Sequence, residues 1–224
     1  MLIKHLISGS DFRKTRLHDE KGNLVSLKNF LLHSPLAIST GLIRLIFDYR
    51  PTQPWIAYTS IKILSKHLNP QSRVLEFGSG MSTLWYAMHA GRVYSVEDNK
   101  LWFDKINHII KEKKLNNITY MYTHDHYEYC TFCNSDTEGF DLIMIDGKYR
   151  SMCIENVFKL VRPGGIIYLD NSDKDSAGNG GDMRKAESLL RSFSQQRKAK
   201  LFEITDFAPT QLFVQQGLLV QVPK

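Results

Sequence analysis

Arg73-Val-Leu-Glu-Phe-Gly-Ser-Gly80 is the stretch on which the fold turns: an apolar strand carries one acid, Glu76, and breaks at once into a glycine turn. Gly78 and Gly80 let the backbone bend tightly and approach a ligand where a β-carbon would clash. Working outward, a second apolar strand, Arg92-Val-Tyr-Ser-Val-Glu97, ends on another acid. Its place, about twenty residues after the first acid, is where a carboxylate accepts hydrogen bonds from a ribose diol. Glu97, with Asp98 beside it, is the leading ligand-binding candidate.

Two nucleoside ligands compete for this pattern, a dinucleotide and S-adenosylmethionine. A dinucleotide fingerprint needs a third glycine and a helix N-terminus facing a pyrophosphate. Here the run is Gly78-Ser-Gly80-Met-Ser-Thr83, so the third glycine is missing and Glu76 would repel the phosphates. An acid suits a cation, and S-adenosylmethionine carries a sulfonium and an α-ammonium. Gly78, Ser79 and Gly80 then supply the close-approach backbone, and Glu76 faces the amino-acid end.

With 224 residues, 42% hydrophobic and 23% charged, the chain can bury a sizeable core within one domain. The expected division is an N-terminal helical extension over residues 1–53 and a ligand-binding domain over residues 54–224. The net charge of +6 is uneven, with eight basic and four acidic side chains in residues 1–50. A solvated basic face explains this, and no arginine-rich run argues for a nucleic-acid partner. The first seven residues hold too short an apolar run for a secretory signal. Cys130, Cys133 and Cys153 suit reduced thiols, so a cytoplasmic location is expected. The most apolar stretch, Phe30 to Phe47, is interrupted by His33, Pro35 and Arg44. It is expected as a packed or interfacial helix without crossing a membrane, which leaves peripheral membrane contact open.

From residue 54 helices and strands alternate. Helices are expected over Pro54–Leu68, Ser82–Ala90, Leu101–Lys114 and from Asp182 to about Gln196. Leu101, Trp102, Ile106, Ile109 and Ile110 form the apolar face of the third. Strands are expected over 73–77, 92–97, 117–122, 140–145 and 166–169, continuous apolar runs that suit a parallel sheet covered on both faces. Leu201–Phe207 and Gln211–Gln215, separated by a short break, read as an antiparallel hairpin. Asn171–Gly181, rich in glycine and small polar residues, reads as a mobile loop.

Four pieces in order, Val74–Gly80, Val93–Asp98, Phe140–Asp146 and Leu160–Asn171, make the chain resemble a class I S-adenosylmethionine-dependent methyltransferase over roughly Pro54 to Val214. Pro54-Trp-Ile56, Gly78–Trp85 and Asp146-Gly-Lys-Tyr-Arg150 are similar to a bacterial group of such enzymes whose substrates are mostly unassigned. The resemblance implies a Rossmann-like, doubly wound, mostly parallel seven-stranded sheet with an antiparallel C-terminal hairpin. It also implies that Trp55 lies on a helix that roofs the cofactor, as a candidate for cofactor or acceptor contact, and that Asp125 lies beside the adenine; Trp85, an aromatic at helical spacing, reads as a packing residue.

Asp146 ends one strand, and Asp170 and Asn171 end its neighbour, at the rim where open α/β sheets bind ligands. Two carboxylates and an amide carbonyl form an oxygen set suited to Mg²⁺. The same arrangement is the metal site of enzymes similar to catechol O-methyltransferase, where Lys148, offset by one residue, would act as base with Asp146. Without a metal, Asp146 faces the methionyl ammonium or the acceptor. Lys148 and Arg150 also read as surface cations or as holders of an anionic acceptor. His124, His126, Cys130 and Cys133 form a compressed possible zinc set, against a reading in which the cysteines pack. The oxygen set, and the lack of an Asn/Asp-Pro-Pro-Tyr motif, favour an oxygen acceptor on a small molecule or glycan. The alternatives are a dinucleotide-dependent oxidoreductase or epimerase and a non-catalytic cofactor-binding protein. Oligomeric state is not legible.

Overall fold

The structure, a computed structural model, describes residues 12–175 and 181–224. Seven strands form one sheet in the order β3-β2-β1-β4-β5-β7-β6. They are β1 (Arg73–Phe77), β2 (Arg92–Glu97), β3 (Ile118–Tyr122), β4 (Phe140–Ile145), β5 (Val161–Leu169), β6 (Lys200–Phe207) and β7 (Val214–Gln221). The first five pair in parallel, and β7 lies antiparallel to both β5 and β6. This is the expected mostly parallel sheet with its terminal hairpin.

Alternation along the strands divides the buried side chains between two cores. Leu75, Phe77, Ile143, Ile145, Ile167 and Leu169 point to one face, and Val74, Leu142, Met144, Ile166 and Tyr168 to the other. The first face is covered by α5 (His126–Cys130), α6 (Arg150–Val157) and α7 (Asp182–Gln196), the second by α2 (Tyr58–His67) and α3 (Met81–His89). Trp85 packs as expected, 7% exposed and stacked on His89. α4 (Lys100–Glu112) seats Ile106 and Ile110 against Leu84. Each such large apolar side chain contributes roughly 1.5–3 kcal/mol relative to leaving it in water. The start of β1 is pinned by buried Arg73, which pairs with Asp136 at 2.5 Å and donates to the Gly139 carbonyl.

Two boundaries differ from expectation for physical reasons. The helix expected from Pro54 begins at Tyr58, because Pro54 to Ala57 run irregularly and bury Pro54, Ile56 and Ala57. The last strand, expected at Gln211–Gln215, runs over Val214–Gln221. Gly217 hid it, since glycine weakens a strand pattern. Here glycine is required, because a β-carbon at 217 would lie 1.8 Å from the hydroxyl of Tyr168 on the adjacent strand β5. Of the loop Asn171–Gly181, residues 176–180 lie outside the described residues, as do residues 1–11 with the expected absence of a secretory signal.

Ahead of the alternation, α1 (Leu27–Phe47) is one continuous helix capped by Ser26, whose hydroxyl accepts from the Asn29 N–H. It docks on β6: His33 Nδ1 meets Asp206 at 2.8 Å, and Ala37 packs with Phe207 and Val214. The expected packed helix is only partly that, because Ala37 and Gly41 alone are buried. The segment before it is stitched to the same sheet edge. Lys21 pairs with Glu187 at 2.6 Å, and Asp19 accepts from Thr205.

Candidate active site

Strand register brings the acids together. β1 stands between β2 and β4, so the ends of β1, β2 and β4 share one rim. Ile145 pairs with Leu169, so the next residues, Asp146 and Asp170, emerge side by side. At this rim a cleft of about 660 Å³ opens between the glycine turn, Glu97, Asp98 and the 146–148 segment, within the usual range of roughly 300–1,000 Å³ for small-ligand sites. A smaller recess of about 110 Å³, lined by Trp55, Gly80 and Ser82, shares Ser79, Trp102 and Asp146 with it.

Gly78 needs to be glycine. Its φ is +92°, and an added β-carbon would lie 2.6 Å from the Gly147 backbone nitrogen. Glu97, 5% exposed, accepts from the Ser79 N–H at 2.9 Å, the Ser79 hydroxyl at 2.8 Å and the Asn99 N–H at 2.9 Å. It therefore braces the turn and stands on the cleft wall together. Trp102 donates its indole N–H to the Ser79 carbonyl at 2.7 Å. Trp55 lies beside the smaller recess under the Arg44 guanidinium, 4.7 Å from its ring centre, and its indole N–H is buried without a partner among the described residues.

Glu76 is placed otherwise than on the cleft wall. Alternation turns it onto the α3 face, fully buried, where it accepts from Ser82, Thr83 and Ser95 at 2.5, 2.6 and 2.7 Å. The α3 N-terminus, the place a dinucleotide would set its pyrophosphate, is thus filled by the protein's own carboxyl. Burial, offset by the three hydroxyls, pushes Glu76 up to about 7 from an ordinary 4.5. A raised carboxyl means that the folded state holds its proton more tightly than the unfolded chain does. The stabilisation is then complete below pH 4.5 and lost as pH rises through about 7, on the order of 3 kcal/mol. Urea unfolding at about pH 5 and about pH 8 should show this fall, and Glu76→Gln should shrink it by about that amount.

Asp146 and Asp170 hydrogen-bond through their carboxyls, and both are raised, first by desolvation. Asp170, 2% exposed, is raised well above its ordinary 3.8 by desolvation and by the Asp146 charge, and the bond between the two carboxyls raises Asp170 while lowering Asp146, which favours the proton on Asp170. Arg150 clamps the pair. Its guanidinium donates to the carbonyls of Asp146, Gly147 and Asp170 and stands 3.3 Å from the Asp146 carboxylate. Asn171, in a left-handed turn, gives Asp170 a backbone N–H. The expected Mg²⁺ trio does not fit this arrangement. The Arg150 guanidinium, 3.3 Å from the Asp146 carboxylate, already supplies the positive charge beside it.

Other expected residues separate. Lys148 pairs with Asp98 at 2.6 Å, and that carboxylate holds it above its ordinary value, a protonated state that suits no base. Asp125 caps α5, accepting from the Glu128 N–H, outside the cleft walls. The compressed zinc set does not assemble: Cys130 turns into the core 3.4 Å from Cys153 while His124 and His126 are exposed. Leu101, expected on the buried face of its helix, is 83% exposed on the cleft rim.

Residues 75–172 match the family model described as a methyltransferase domain. Over that stretch the chain is similar to methyltransferase domains. Similar solved structures include the O-methyltransferase of Bacillus cereus in complex with S-adenosylhomocysteine, 18% identical, covering 84% of this chain and 90% of that one, with a TM-score of 0.63. TomG of Streptomyces achromogenes, an O-methyltransferase of tomaymycin synthesis, is 15% identical over 88% and 96%, with a TM-score of 0.62. An rRNA methylase of Streptococcus thermophilus is 15% identical over 75% and 96%, with a TM-score of 0.54. No curated protein matches the sequence. At these identities the likeness carries the fold, and acceptors differ among methyltransferase domains of this shape. The cleft fits S-adenosylmethionine by size, by its glycine turn and by the acids Glu97, Asp98 and Asp146 along its walls.

Proposed function

We propose that this protein methylates a hydroxyl oxygen of a small molecule or glycan, with Asp146 as the base and without a divalent cation. The supporting observation is the Asp146–Asp170 pair, clamped by Arg150, whose Asp146 lines the same cleft as Glu97. S-adenosylmethionine supplies an electrophilic methyl on a sulfonium. Asp146 Oδ takes the acceptor's hydroxyl proton as the new carbon–oxygen bond forms and the carbon–sulfur bond breaks, leaving S-adenosylhomocysteine, the methyl ether and one proton. Asp170 holds its own proton and so keeps Asp146 the single base of the pair. Glu97 and the glycine turn hold the nucleoside, and orientation provides most of the acceleration. In this reading residues 54–224 are the catalytic domain, residues 1–53 an extension, and the free thiols fit the cytoplasm.

The oxygen preference draws support from the O-methyltransferases among similar folds. Methyl transfer from labelled S-adenosylmethionine to a panel of hydroxylated acceptors tests it, with and without EDTA. Label in an alkali-stable ether, unchanged by EDTA, is expected. Activity lost in EDTA and restored by Mg²⁺ would make Asp146 a metal ligand and end its role as base.

A further inference from the structure

α1 is built inside out. The side chains that meet the domain are a narrow stripe of mixed and small residues, Phe30, His33, Ala37, Thr40, Gly41 and Arg44. Those that face away are large and apolar: Leu27, Leu31, Leu42, Leu45, Ile46 and Phe47 are exposed by 50 to 75%. A helix exposed to water presents the reverse pattern. We propose that α1 is an interfacial helix that seats this protein on an anionic lipid bilayer.

Three observations choose lipid as the occupant. At 100° per residue the outward apolar side chains sweep about 200° of the helix, broken only by Lys28, Pro35, Ser39 and, at its margin, Asn29. One helix from a second copy covers about half of that arc, whereas a bilayer that admits the outer half of α1 covers all of it. Charge is complementary as well. α1 contains Lys28 and Arg44 and no acid, and the chain's excess of basic residues is concentrated in residues 1–50. Third, the C-terminal end of α1 has the aromatic and cationic flank of a headgroup region. Tyr49 is 58% exposed, and Arg44 and Arg50 lie over Trp55.

The helix is long and apolar enough to cross a membrane, but its midpoint is held on the domain. A β-carbon at Gly41 would lie 3.1 Å from Leu212, and Ala37 is fully buried. A crossing helix would carry both into hydrocarbon, so α1 lies along the surface.

The test uses full-length protein and sedimentation with vesicles of phosphatidylcholine, with or without phosphatidylglycerol. Binding to the anionic vesicles, weakened by salt, is expected. The double variant Leu42→Glu and Ile46→Glu should lower the partition coefficient by roughly tenfold or more. Both positions point away from the domain, so melting temperature and S-adenosylhomocysteine affinity serve as folding controls. Wild type that ignores both vesicle types, or a folded variant that binds like wild type, overturns the proposal. A dimer in light scattering that the variant dissociates, without vesicle binding, assigns the face to a second copy. Vesicle binding is read without catalysis, so it stands or falls apart from the proposed chemistry.

Discussion

Replacing Glu97 with alanine is expected to weaken S-adenosylmethionine and S-adenosylhomocysteine binding by a factor of roughly 10² to 10³ in calorimetry. The carboxylate is the acceptor proposed for the ribose diol, and each hydrogen bond to a charged group contributes about 1.5–3 kcal/mol. Its loss also releases the Ser79 N–H and hydroxyl and the Asn99 N–H, so the turn that carries Gly78 and Gly80 loses its brace. Glu97→Gln separates the two effects. The amide keeps one acceptor oxygen and nearly the same shape, so most of the fold should survive while binding falls by roughly tenfold. Wild-type affinity in the alanine variant would remove Glu97 from the site and move the ligand elsewhere along the rim.

The second large effect is on turnover. Asp146→Asn is expected to lower kcat by roughly 10² to 10⁴, the usual contribution of a general base, while leaving cofactor affinity within a few-fold of wild type. The wild-type pH profile carries the sign. Desolvation raises Asp146, so its basic form is lost as pH falls through a value above the ordinary 3.8 of an aspartate. Activity should therefore decline on the acid side earlier than an unperturbed carboxylate would allow, and this limb should vanish in the asparagine variant. A drop in kcat with an unaltered acid limb would assign the titration to another group and leave Asp146 a positioning residue.

Strands β1, β2 and β4 were legible as apolar runs, with Glu97 ending β2 and Asp146 following β4, and their order along the chain fixed the rim where those two acids stand. Residues whose role depends on register were not legible. Arg150 looked like a surface cation, since nothing local shows that carbonyls from the ends of two strands will converge on it. Leu101 satisfied a helical period yet faces the cleft, because the period gives a face without saying whether protein or ligand covers it. Glu76 was assigned to the ligand by its place in the motif, although strand alternation alone would have sent it beneath α3 beside Ser95, its cross-strand partner. In α1 the sequence showed an apolar helix, but the side that docks is a narrow stripe whose only buried members are the small Ala37 and Gly41.

The docking of α1 also sets an order of events during synthesis. His33 and its partner Asp206 are 173 residues apart, so the ribosome completes the whole alternating unit before β6 exists to receive the helix. At about 5–20 residues per second, an apolar helix of 21 residues waits roughly 10 to 35 s for its seat. During that interval the docking stripe of α1 has no β6 to receive it, so its apolar surface depends on other cover for longer than any strand of the sheet does.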